Sequence, residues 1–196
     1  MEHSSFTYII IIMIAIIVFK IYIEADFFQL KCIISDVDGN KYCVRERKKM
    51  DDAADLLAKV NEKMKFIVAY IYKKYPDKKN VQRLNDGFNP KRINETLPTS
   101  EFTAYSENKG EKLAFCLHRR KNGTKLIDEN TLTFVALHEL SHVMSSSVGH
   151  TDEFWDNFKF ILDNAVEQKI YMPVDYKKDP QPYCGMDITD NPYYDM

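Results

Sequence analysis

The chain has 196 residues, 45% hydrophobic and 29% charged, which are the proportions of a globular protein with room for one ordinary domain and a short anchor. A net charge of −2 leaves no broad electrostatic footprint for nucleic acid, so no nucleic-acid partner is expected. Four cysteines, Cys32, Cys43, Cys116 and Cys184, form no C-x-x-C pair and are too few for a disulfide scaffold, which argues against a cysteine zinc site.

After a short tail over 1–5, Phe6 to Ile23 reads FTYIIIIMIAIIVFKIYI, with Lys20 as its one charge. The run is long enough to cross a bilayer, and a transmembrane anchor over 6–23 is expected. A cleaved signal peptide competes poorly, because no Lys or Arg precedes the run and Ile23-Glu24-Ala25 is a poor small-residue cleavage site. Lys20, Lys31 and Lys41 lie within or after the span, so the positive-inside rule predicts a single-pass membrane protein with its C-terminal domain in the cytosol. The sequons Asn94-Glu95-Thr96 and Asn122-Gly123-Thr124 would matter only for the opposite orientation.

The domain is expected over 24–170. Residues 29–46 predict a β-hairpin turning at Asp38-Gly39. With Val37 opposite Asn40, Cys32 and Cys43 share a face only diagonally, about 7–8 Å apart, and are expected to be reduced or merely packed. Arg45-Glu46-Arg47-Lys48-Lys49 and His118-Arg119-Arg120-Lys121 are read as solvated surface. Over 51–75, Leu56, Leu57, Val60, Met64, Ile67 and Ile71 recur at helical spacing, predicting a long scaffold helix that Pro76 ends. The polar stretch 77–100 is read as a loop with a short helical piece. Strands are expected within 103–118, joined through Asn108-Lys109-Gly110, with His118 at the surface.

The chemistry concentrates in His138-Glu139-Leu140-Ser141-His142, the H-E-x-x-H pattern of zinc peptidases. A helix over 130–146 is predicted: Ala136, Leu137, Leu140, Val143 and Met144 fall on one side of the wheel, and Asp128 and Asn130 offer N-cap oxygens. Both histidines then project from one face, where they can share a metal. A chance match on a core helix is the competing reading, but burying three ionisable groups without partners is expensive. His150, beyond Gly149, is the expected third ligand, ahead of Asp152, Glu153 and His118. Three neutral imidazoles leave Zn2+ its charge and an open position for water, whose pKa it can lower towards about 7. Glu139 is the expected catalytic base, taking that water's proton and passing it to the leaving amine.

Thr151 then caps a helix over 152–168, with Asp152 and Glu153 in its first turn and Trp155 at the edge of its apolar stripe. The remainder, 171–196, is read as an irregular tail, and no internal repeat is visible. A strand around Leu113–His118 is expected to offer an open edge to an extended peptide.

The pattern His138-Glu139-Leu140-Ser141-His142 followed by Gly149-His150-Thr151-Asp152-Glu153-Phe154-Trp155 resembles the zinc-peptidase core of the SprT, WLM and YgjP-like families. Val37-Asp38-Gly39, Tyr105 to Gly110 and Asp187 to Pro192 extend the resemblance to small anchored metallopeptidase-like proteins of large DNA viruses of algae, which would place the anchor in a host or virion membrane. Seven residues separate His142 from His150, where the compact WLM and YgjP-like pattern has five, and no DNA-binding zinc module follows. The resemblance thus implies the zincin core and not a role in DNA–protein crosslink repair.

The expectation is an α+β, zincin-like metallopeptidase domain behind an N-terminal transmembrane helix, hydrolysing peptide bonds in a peptide or protein substrate. The rivals are a catalytically silent, zinc-stabilised structural or adaptor membrane protein and a metal-dependent hydrolase of a non-peptide bond. Oligomeric state is not legible.

Overall fold

Five short strands, none able to bury a face alone, assemble from distant parts of the chain into one sheet. They are β1 (Leu30–Ile34), β2 (Lys41–Arg45), β3 (Ile93–Glu95), β4 (Ala104–Glu107) and β5 (Lys112–Phe115), in the spatial order β1-β2-β3-β5-β4. Both outer pairs are antiparallel, and the inner pairs β2–β3 and β3–β5 are parallel. The computed structural model describes residues 2–24 and 30–195. Ala25 of the weighed cleavage site, Gln29 at the start of the expected hairpin and Met196 at the end of the tail lie outside the described residues.

A helical layer covers the sheet, so the fold is mixed α+β. α2 (Met50–Lys74) lies against β1, β2 and β3. α4 (Glu129–Met144) packs on β4 and touches α2, α3 (Lys79–Gly87) and α5 (Asp152–Glu167). Its apolar side chains Ala136, Leu137, Leu140, Val143 and Met144 have no exposed surface, each aliphatic one contributing roughly 1.5–3 kcal/mol on burial. Asp128 caps the helix, accepting from the Thr131 N–H at 2.9 Å and the Thr131 hydroxyl at 2.8 Å.

At the N-terminus, α1 (Glu2–Glu24) is helical. Among the described residues no helix is long and apolar enough to cross a membrane. The expected transmembrane anchor over 6–23 and single-pass membrane localisation are corrected accordingly, together with the cytosolic orientation that rested on them.

The hairpin also differs from expectation. Ser35 N–H donates to Asn40 O at 2.9 Å, so the turn holds four residues, Asp36 to Gly39, instead of two. Asp38 organises it, accepting from Asn40 N–H at 3.0 Å and from the Tyr42 hydroxyl at 2.7 Å. The longer turn slides the register by two residues, which preserves the faces and sets Cys32 directly opposite Cys43. These two form a disulfide, correcting the reading of reduced or packed thiols, and Cys116 and Cys184 form a second.

Two basic side chains expected in solvent are buried. Arg45 donates from Nε to Thr96 O at 2.7 Å, from Nη1 to Lys121 O at 2.8 Å and from Nη2 to Thr96 Oγ1 at 2.9 Å, with Glu95 3.3 Å from Nε. His118, expected at the surface, sets Nδ1 3.2 Å from the same buried carboxylate. For Arg45 and Glu95 the pairing matters, because a lone buried charge would cost several kcal/mol.

The stretch expected to be irregular, 171–196, carries β6 (Gln181–Tyr183), β7 (Met186–Ile188) and a short 3-10 turn over Pro192–Tyr194. A two-residue turn joins β6 to β7, with Cys184 at φ 53° and Gly185 at φ 89°, the backbone of a type I′ hairpin. Tyr171 and Tyr176 are buried against Phe134 of α4, with ring centroids 5.7 and 4.9 Å away. Aromatic packing therefore ties the tail to the helix that bears the histidines.

Candidate metal centre and its cleft

His138 and His142 stand one turn apart on α4, and the chain brings His150 back over them through the loop that follows Met144. Ligand atoms of all three lie within 4.8 Å of one another, with His138 Nε2 and His150 Nε2 3.1 Å apart. Two nitrogens at tetrahedral positions around zinc, each at about 2.05 Å, would be about 3.3 Å apart, so this donor set fits such an ion. The three imidazole centroids are 5.0 Å from each other in every pair. Phe154 lies against all three rings, at 4.8, 4.3 and 4.7 Å. Among the described residues no fourth Cys, Asp, Glu or His joins this group.

Burial makes the cluster chemically fit for a cation. It pushes the His138 imidazole down to about 3, helped by the neighbouring His142 and His150, and His142 down to about 4, helped by His150 and Lys109. Both rings are therefore neutral near pH 7 and present lone pairs. Glu139 is only 4% exposed and lines the same cleft, and burial raises its carboxyl to about 8.

A cleft of about 1420 Å³ runs past the histidines. β4 forms one wall and the β6–β7 hairpin another, while Trp155 and Val148 stand at the rim. β4 is the outer strand on this side of the sheet, whereas β5 lies between β3 and β4. The open edge expected at Leu113–His118 is thus corrected to β4. The Cys116–Cys184 disulfide, with Cys184 N–H donating to His118 O at 2.9 Å and Tyr183 hydroxyl to Thr103 O at 3.0 Å, fastens the hairpin to the sheet.

Of the competing ligand candidates, His118 is paired with Glu95 away from the histidine group. Glu153 points its carboxylate into the loop after α4 instead, accepting from Ser146 N–H at 2.8 Å and Ser147 N–H at 3.0 Å. These donors, the Ser146 N–H foremost, hold its carboxyl at about 2. Thr151 caps α5 by accepting from Phe154 N–H. Sequence reasoning missed the cleft roles of Lys109 and Tyr183. Asn108-Lys109-Gly110 is a legible turn signal, but nothing local says that the lysine reaches α4.

No protein-family model matches the chain. It is similar to the uncharacterized protein R325 of Acanthamoeba polyphaga mimivirus, 28% identical over 80% of this chain and 81% of that protein. The uncharacterized protein 042R of Invertebrate iridescent virus 3 is 36% identical over 42% of this chain and 50% of its own length. The uncharacterized protein 136R of Invertebrate iridescent virus 6 is 37% identical over 31% and 35%. All three are viral, from an amoeba virus and two invertebrate viruses and not from algal viruses. Among solved structures, Wss1 of Saccharomyces cerevisiae covers 64% of this chain and 88% of its own, at 18% identity and a TM-score of 0.47. That is a likeness of outline without functional weight.

Proposed function

We propose that this chain is a zinc-dependent metallopeptidase of the H-E-x-x-H type, with a core of the kind the SprT, WLM and YgjP-like families carry, in a viral protein. The observation that carries the reading is the convergence of His138, His142 and His150 beside a buried carboxylate in an open cleft. His138, His142 and His150 would hold the ion. When bound, zinc would supply Lewis acidity, lowering the pKa of water and polarising a scissile carbonyl. Glu139 would take the proton from the attacking water and deliver it to the departing amine, a role worth about 10²–10⁴ in rate. Glu139 itself is buried, only 4% exposed where it lines the cleft. The free edge of β4 would bind an extended peptide by strand addition, its backbone groups giving affinity and the rim side chains Phe102, Trp155 and Met186 giving preference.

A silent, zinc-stabilised structural protein is the weaker reading, because structural zinc sites close with four protein ligands and this group has three. The test is cleavage of a broad peptide library by the zinc-loaded chain and by Glu139→Gln. The expected result is turnover by wild type and a loss of about 10²-fold or more in the variant. Wild-type rates in Glu139→Gln, or a zinc-loaded wild type inert to the whole library, would overturn the proposal.

A further inference from the structure

The third ligand arrives on a loop with no regular structure, residues 145–150, and His150 itself is exposed. A flexible ligand loop would cost ordering entropy each time a metal bound. The loop is instead held from two sides by ionic side chains. Lys109 Nζ donates to His142 O at 3.3 Å, Ser145 O at 2.9 Å and Ser147 O at 2.5 Å, gathering carbonyls that the end of α4 leaves without helical partners. From the other side Glu153 takes the Ser146 and Ser147 N–H groups, and Arg83 bridges them, donating to Met144 O at 2.6 Å with its Nη1 3.5 Å from the Glu153 carboxylate.

An independent observation is the backbone at Lys109. It stands at φ 55°, between Asn108 at φ 46° and Gly110 at φ 103°, a conformation that costs a lysine about 1 kcal/mol or more. The turn is packed closely at its next residue, since a Cβ on Gly110 would fall 2.5 Å from Gly87 O and 2.9 Å from Val143 Cγ1. The strain persists because the packing over-determines it, and its result is an ammonium delivered to the ligand loop.

We infer that Lys109 and Glu153 are positioning residues that brace residues 145–150 and thereby hold His150 in place for the metal. The inference rests on the proposed zinc site but not on peptide hydrolysis. The bracing acts before binding, so its loss should weaken metal affinity even where the variant folds normally.

The test is the zinc dissociation constant of the full chain, measured by chelator competition, for wild type, Lys109→Met and Glu153→Gln, each also in a His150→Ala background. Thermal unfolding of the metal-free variants checks that they fold. If Lys109→Met does not fold, the half-exposed Glu153 carries the test. We expect each substitution to weaken zinc binding about 10- to 100-fold, as removal of groups that orient ligands does, and to change it less than about threefold once His150 is gone. Affinities within threefold of wild type, or equal losses with and without His150, would overturn the bracing alone. A wild type that takes up no zinc would overturn both the bracing and the proposed site.

Discussion

Glu139 makes a prediction that needs no substrate. Its carboxyl is raised from 4.5 to about 8 by burial. The folded protein therefore keeps this proton over a range in which the unfolded chain has released it. The associated stability is complete below about pH 4.5 and is lost as pH rises through about 8. The full displacement corresponds to about 5 kcal/mol, and about half of that remains if water in the open cleft screens the charge. Glu139→Gln keeps the shape and removes the titration, so in chelator the variant should gain about 2–5 kcal/mol over wild type between pH 5 and pH 9. At 2–4 °C per kcal/mol for a chain of this size, that is a relative shift of about 4–20 °C in melting temperature. Zinc should shrink the difference, because a nearby dication favours the carboxylate. A wild-type-to-variant gap that is the same at pH 5 and pH 9 in chelator would refute the buried, proton-holding carboxylate.

Two further outcomes test the frame around the site. Replacing Cys116 and Cys184 with serine opens a loop of sequence separation 68 and should lower stability by about 4 kcal/mol, read by denaturant unfolding, whereas the same change at Cys32 and Cys43, separated by 11, should cost about 3 kcal/mol. An intact-mass measurement without reductant that finds free thiols would contradict both pairings. Gly110→Ala should destabilise by about 3 kcal/mol, since it adds a clash with Gly87 O to a positive φ, and an unchanged melting temperature would argue against the packed turn.

The parts of this structure legible in the sequence are those with a local physical signal. α2 and α4 follow from apolar spacing, and the Asp128 and Thr151 caps from side chains that compete well for free N–H groups. His138 and His142 share a face because the helix repeat puts them there. The misses are long-range. Arg45 and His118 look like surface charge until the fold brings Glu95 between them. The hairpin register depended on whether Asp38 sits in a two- or four-residue turn, a choice made by the Asn40 and Tyr42 contacts. Residues 171–196 lack periodicity, yet their tyrosines pack on Phe134, which no local pattern records. β3 was hidden because three residues, Ile93–Glu95, are too few to show alternation. The apolar run at the N-terminus reads as a span in the sequence, but among the described residues no helix is long and apolar enough to cross a membrane.

The most direct test of the central claim is zinc stoichiometry of the purified chain under a competing chelator, by elemental analysis, for wild type and for alanine at His138, His142 and His150 in turn. The account expects about one zinc per wild-type chain and loss of tight binding at each of the three positions. If His150→Ala holds zinc as tightly as wild type, or wild type retains none, the three-histidine centre is wrong.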